Sequence, residues 1–427
     1  MDLKKQRRQY LFICLVYLFY YASYTSYFSF LTVYLKGWGY GTGDIGLIMT
    51  CNSLINLISQ PLLGQLSDTR FPIKRIVTVG MLVTIPGAFL LGPTVGFFPL
   101  ALASILLVAF FDYSMIGLLD TWTNLAKADN PRINYSVARG MGSLSSAVAA
   151  LVIGDALARF GNDKIFLFHA LFMALALVFV LLFQGIPCAG RREKGEKAES
   201  MGQALRVLFR NKKYRYYIIA VFLVNMGWRA ILTYMPSILI DFGGNSRHQG
   251  IAMAMCTIGI APFMFFYPRL LKRFGIERMI QVGYLLTALR VLSICLVRDL
   301  WMMVWIQLFE SVSFGIFQPS TIEYVSTIIP PKNRALAVTV GAAVQMALCG
   351  TVGNYFAGIF LEHFSFRWMF LIFGAVALAG FDPNVLDERT VQYQCDCSAE
   401  RTKEMLLSLG RAELERMRDE DPNCEVV

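Results

Sequence analysis

The sequence predicts an all-α membrane protein: a twelve-helix bundle of two six-helix halves, with a short soluble tail on the cytoplasmic side. Three observations predict this. Twelve apolar stretches follow one another between Tyr10 and Phe381, most of them close to the roughly 20 residues that span a hydrocarbon core. Basic residues crowd every second gap between them. The composition is 56% hydrophobic and 16% charged, with a mean hydropathy of +0.53. A soluble chain spreads its apolar residues over periodic faces and does not string such runs together.

The first six spans are expected at 10–35, 44–66, 75–96, 98–124, 135–159 and 165–187, and the next six at 215–241, 249–271, 279–298, 300–328, 335–361 and 366–381. The first run is too long for the apolar region of a signal peptide and has no small-residue cleavage site. A polar stretch separates the halves, giving an N-terminal half at 1–187, a linker at 188–214, a C-terminal half at 215–381 and a tail at 382–427. The halves echo each other. Asn130-Pro131-Arg132 leads into a helix rich in small residues (Gly140, Gly142, Ser143), and Pro331-Lys332-Asn333-Arg334 leads into another (Gly341, Ala342, Gly350). Small residues let helix backbones approach closely in lipid, and repeated six-helix units with a site between them are common in secondary transporters. The last apolar run, Trp368 to Phe381, has only 14 residues, which is short for a span without tilt or bilayer thinning.

Charge sets the expected orientation. Lys4, Lys5, Arg7 and Arg8 precede the first span, and Arg70, Lys74 and Arg75 follow the second. Arg191, Arg192, Lys194 and Lys197 fall in the linker, and Arg269, Lys272, Arg273 and Arg278 between the eighth and ninth spans. The alternate gaps carry few charges. The positive-inside rule then places both termini in the cytoplasm of a multi-pass cell (inner) membrane protein. The net charge of +10 reports that topology and contact with the lipid bilayer; because the basic residues are dispersed over short loops, no nucleic-acid partner is expected. Cys14, Cys51, Cys256, Cys295 and Cys349 stand singly within spans, as small buried hydrophobes do. There is no nucleophile–base set, phosphate loop or complete metal site, so neither an enzyme nor a bound cofactor is expected.

Gly64-Gln65-Leu66-Ser67-Asp68, followed by Arg70, Lys74 and Arg75, resembles the second-to-third-helix signature of the major facilitator superfamily. Arg269, Lys272, Arg273 and Gly275 form a degraded copy in the second half. Within that superfamily, residues 10–380 resemble the oligosaccharide:proton symporter branch, the lactose-permease-like transporters. The resemblance rests on the Tyr/Phe-packed first helix, Ser59 to Asp68, Ala138-Arg139-Gly140-Met141-Gly142, Ala288-Leu289-Arg290 and Leu308-Phe309-Glu310, in matching order. It implies an alternating-access transporter that moves a small hydrophilic solute, a sugar or glycoside, together with a proton, as a monomer. In that pattern Gly64, Asp68, Arg70, Lys74 and Arg75 serve conformational change.

A charged side chain at mid-membrane is costly and is therefore a functional candidate. Asp112, Asp120 and Arg139 in the first half and Arg229, Arg290 and Glu310 in the second sum to zero. The resemblance gives Asp120 and Arg139 the places of the sugar-binding acid and arginine. A carboxylate accepts from adjacent hydroxyls and a guanidinium donates a rigid fork, so the two can grip a polyol; they equally suit a salt bridge between helices. The family's stacking tryptophan is Ser146 here, and Trp122 suits either a substitute apolar face or packing against lipid. Glu310 and Arg290 take the places of the proton-coupling pair, with Gln307 where the family has histidine. Burial away from water favours a protonated carboxyl, and a neighbouring guanidinium favours the ionised form. Moving the guanidinium or admitting water therefore switches proton affinity; a static ion pair is the alternative. Asp112 and Asp120 lie within roughly 80° on one helical face. Arg229 stands where the family has an acid. If Asp112 and Arg229 share a cavity, they suit an anionic or zwitterionic solute better than a neutral disaccharide.

The tail has another character. Val391-Gln392-Tyr393-Gln394-Cys395-Asp396-Cys397-Ser398 and the segment from Leu406 to Glu413 resemble the zinc redox-switch region of the heat-shock holdase known as the 33-kDa chaperonin. Cys395 and Cys397 are half of such a site, since structural zinc takes four ligands; the second pair would begin where the sequence ends at Val427. The alternatives to sugar symport are a nucleoside or drug transporter on the same scaffold, or a non-functional fusion product carrying a chaperone fragment.

Overall fold

A computed structural model describes residues 3–183, 201–330 and 333–379; the side chains at 68, 128, 201–204, 261, 264, 265 and 335 lie outside the described set. Lipid offers no partners for backbone polar groups, so a spanning segment satisfies them internally as helix. The first half follows that rule with α1 (Leu3–Phe28, continued by Leu31–Gly37), α2 (Thr42–Thr69), α3 (Ile73–Phe89 with Leu91–Thr94), α4 (Phe98–Asp129), α5 (Tyr135–Phe160) and α6 (Ile165–Leu182). A short helix, Met201–Arg210, occupies part of the expected polar linker.

In the second half, α7 is Lys212–Asp241. The rod α8 begins as Ser246–Ile258 and resumes after Gly259 through 260–274; a turn at Gly275 (φ 76°) separates it from α9 at 276–293. Positive φ is open to glycine without Cβ strain, which lets two helices meet here without a longer loop. The rod α10 is Leu300–Trp305 and Leu308–Ile328, and α11 runs Arg334–Ala343, a π turn at Val344–Leu348, then Cys349–His363. The last rod, α12, is Phe366–Ala379.

Nine stretches among the described residues are long and apolar enough to cross a membrane. The other three rods are short or broken. Ile73–Phe89 has 17 residues before its interruption, α8 breaks at Gly259, and α12 has 14 residues. Fourteen residues rise about 21 Å, less than the roughly 30 Å hydrocarbon core.

The packing repeats between halves. In the first, α1 packs on α5 and α6, α3 on α4 and α6, and α2 on α4; in the second, α7 packs on α11 and α12, α9 on α10 and α12, and α8 on α10. Across the halves, α5 meets α8 and α11 meets α2. Both crossings depend on glycine. A Cβ on Gly154 would lie 2.7 Å from the Ser246 carbonyl oxygen, and one on Gly250 would strike the Ala150 carbonyl. Gly46 and Gly358 make the equivalent approach between α2 and α11, where a Cβ on either would lie about 3 Å from the other's Cα.

Polar contacts between the halves gather at the end opposite the basic loops. Lys36 Nζ lies 2.6 Å from Asp241 Oδ1 and donates to Ser237 Oγ at 2.6 Å. Arg247 Nη2 meets Asp155 Oδ1 at 2.6 Å, Ser246 donates to Asn162 at 2.5 Å, and Gln249 donates to the Ser29 carbonyl at 3.2 Å. These contacts hold the halves together at that end of the bundle.

Candidate transport site

Glu310 sits in the first turn of Leu308–Ile328, just after the break in α10. It is 4% exposed, and Arg290, on α9, is fully buried. Arg290 Nη1 lies 3.0 Å from Glu310 Oε2. Neither atom is aligned for a hydrogen bond, so the contact is an ion pair without the directional component. The other carboxyl oxygen is held from α7, where the Trp228 indole N–H donates to Oε1 at 2.6 Å. Gln307, in the break of α10, accepts from Arg290 Nη2 at 3.0 Å and donates to the Met303 carbonyl at 3.0 Å. Three helices thus hold one carboxyl in a dry site. A narrow cleft lined by Asn225, Trp228, Thr287, Ser313 and Phe314 borders it. Beyond Asn225, Gln345 in the π turn donates to Asn225 at 3.3 Å and to Gln318 at 3.2 Å.

Asp120 and Arg139 lie nearer the basic end. Their Oδ1 and Nε are 3.9 Å apart, with the side chains 27% and 35% exposed; that separation exceeds a hydrogen bond. Tyr17 on α1 donates to Asp120 Oδ1 at 2.7 Å. The Arg139 guanidinium stands 4.9 Å over the Tyr21 ring, and its Nη1 is buried with no hydrogen-bond partner. The pair is loose and partly exposed, and the arginine is short of acceptors.

Between the halves lies a cavity of about 190 Å³. Tyr24 and Phe28 line it from α1, Tyr113 from α4, Arg229 and Thr233 from α7, and Asn354 from α11. Gln249 on α8 completes the wall. Tyr24 and Tyr113 each place a ring centroid 4.9 Å from that of Phe28.

The six substrate candidates therefore divide. Arg229 is on the cavity wall. Asp120 and Arg139 form the separate pair near the basic end. Asp112 is not on the wall: it is fully buried, Tyr20 donates to its backbone carbonyl at 2.7 Å, and its carboxyl oxygens have no hydrogen-bond partner. The condition that Asp112 and Arg229 share a cavity is not met, because α4 places Tyr113 on the wall and Asp112 beside Tyr20 of α1. Trp122 is 3% exposed and packs edge-to-face on Phe183 at 5.3 Å, away from the wall. Gln307 belongs to the Arg290 network.

Of the motif residues, Lys74 donates to the carbonyls of Leu181 (3.1 Å) and Phe183 (2.7 Å), closing the C-terminus of α6, where a cation also meets the negative end of the helix dipole. The Arg75 guanidinium stands 5.4 Å over the Phe71 ring, and Arg70 is exposed, while Gly64 lies toward the C-terminal end of α2. The Asp68 side chain, Cys395 and Cys397 lie outside the described residues. Sequence reasoning missed Trp228, Tyr24, Tyr113 and Asn354. The spacing of Tyr17, Tyr20, Tyr21, Tyr24 and Phe28 along α1 is the signal from which an aromatic face could have been read.

Residues 10–372 match the family model described as "MFS_1 like family". The chain belongs to that family. It is a multi-pass membrane transporter of the major facilitator type, and its partner is a small-molecule solute. A maltose permease of Geobacillus stearothermophilus is 25% identical over 372 residues, covering 86% of this chain and 91% of the permease. The solved structure of the nucleoside transporter NupG superposes with a TM-score of 0.75 at 17% identity, covering 89% of this chain and 98% of that one. Residues 374–427 match the model described as "Hsp33 protein". A 33 kDa chaperonin of Alkaliphilus metalliredigens is 40% identical over 50 residues, which are 12% of this transporter chain and 17% of the chaperonin.

Proposed function

We propose that this transporter is a proton-coupled symporter of a small hydrophilic solute, a sugar or glycoside, working by alternating access. The observation that carries the reading is Glu310, a buried carboxyl with Arg290 on one oxygen and Trp228 on the other. Such a group takes up or releases a proton whenever rocking of the bundle moves either partner or admits water. The six-helix units 1–187 and 215–381 are the rocking bodies, joined by the linker at 188–214. The basic loops face the cytoplasm, so the end held by Lys36–Asp241 and Asp155–Arg247 faces outward. The likeness to a maltose permease favours a sugar, and the Asp120–Arg139 pair has the chemistry to grip a polyol.

A nucleoside is the second reading. The Tyr24, Phe28 and Tyr113 rings suit a flat base as well as a sugar face.

Proteoliposomes given labelled sugars or nucleosides, with internal pH recorded by a trapped dye, test the proposal. Solute entry is expected to acidify the lumen. Entry with no pH change contradicts symport.

A further inference from the structure

We infer that the central cavity takes a sugar acid, a ring-shaped polyhydroxylated monocarboxylate of uronate type, with its carboxylate on Arg229. This deepens the transporter reading above and rests on it. Among the described residues that line the cavity, Arg229 is the one that carries a charge. No acidic side chain among the described residues forms an ion pair with it. Its Nε is buried with no hydrogen-bond partner, and the guanidinium stands 5.9 Å from the Trp228 ring. A charge inside the membrane is costly unless it is paired or faces water, and Asp112 neither lines the cavity nor forms an ion pair with Arg229. The missing counter-charge is supplied by a guest.

The cavity's other features narrow that guest. One guanidinium matches one carboxylate through its planar fork. A phosphomonoester, with about −1.5 to −2 charge, leaves negative charge unmatched. Gln249 is 1% exposed and its Oε1 has no donor, so it is free to accept from a hydroxyl. Thr233 and Asn354 add polar groups on the same wall, and the Tyr24–Phe28–Tyr113 cluster supplies a flat apolar face. At about 190 Å³ the space falls below the roughly 300–1,000 Å³ of pockets for drug-sized ligands, which favours one ring over a disaccharide.

Counterflow in proteoliposomes of the full chain, with equal pH on both faces, tests this with D-glucuronate, its uncharged methyl ester and glucose. Glucuronate is expected to exchange about tenfold faster than either neutral compound, the ratio that about 1.4 kcal/mol supplies. In Arg229→Gln the acid-to-ester ratio is expected to fall to about one, and Arg229→Lys to recover part of it. Glucuronate exchange no faster than that of the ester or glucose, including none at all, overturns the inference, and the wild-type comparison decides even if the variants fail to fold. Because no proton gradient is applied, a carrier that moves solute without a proton still passes; failure of symport is read separately, from accumulation under a gradient.

Discussion

Trp228 donates its indole N–H to Glu310 Oε1 at 2.6 Å, across the contact of α7 with α10. Among the described residues, an apolar helix thereby contributes the one directional hydrogen bond to the carboxyl on which coupling is proposed to depend. Trp228→Phe keeps a ring against Phe314, whose centroid is 5.7 Å away, but removes the donor. Leaving a buried acceptor unsatisfied costs about 1–3 kcal/mol. A lower melting temperature in detergent is the expected result, and an unchanged one would show that the bond contributes nothing.

Arg290 and Glu310 are buried together, so each is expected to be tolerated because of the other. Breaking a buried pair costs about 3–5 kcal/mol, whereas removing both charges is often neutral. Arg290→Met alone is therefore expected to be the least stable of the set, and adding Glu310→Gln to restore most of the loss. Thermal unfolding of the two single variants and the double variant checks this; strict additivity would mean the residues do not interact.

Gly250 sits where its missing Cβ would strike the Ala150 carbonyl of α5. Gly250→Val should wedge α5 from α8 and disfavour contact of the halves at the end held by Lys36–Asp241 by about 1–3 kcal/mol, roughly 5- to 150-fold in population. A cysteine introduced at Thr233 on the cavity wall should then react faster with a membrane-impermeant thiol reagent applied from that end. Equal rates in the two backgrounds would show that the crossing does not gate access.

Cys395 and Cys397 provide two thiolates where structural zinc takes four ligands. The full chain is expected to lose zinc on dialysis against a chelator, and Cys395→Ser with Cys397→Ser to leave transport within about twofold, less than 0.5 kcal/mol. One retained zinc per chain would contradict the half-site reading.

The rods were legible in the sequence because lipid leaves an apolar run no alternative to helix. Their breaks were less so. The turn at Gly275 falls in the basic gap expected between the eighth and ninth spans, whereas α8 breaks at Gly259 and α10 before Gln307 with no polar loop to mark either. Arg290 and Glu310 could be paired in advance because the family resemblance gives them the places of a coupled acid and arginine. Asp112 and Arg229 could not, since helical phase fixes a face of α4 but not which way that face turns across the bundle. Trp228 was hidden among lipid-facing tryptophans, since an indole in an apolar run carries no mark of the bond it makes. Trp122 shows the converse: its position beside Asp120 suggested a sugar platform, and packing gave it to Phe183.

Glu310→Gln tests the central claim most directly. Under an imposed pH gradient, wild-type proteoliposomes should accumulate solute above the external concentration. The variant should exchange solute across the membrane at equal pH yet fail to concentrate it. Accumulation by Glu310→Gln at the wild-type level would contradict the account.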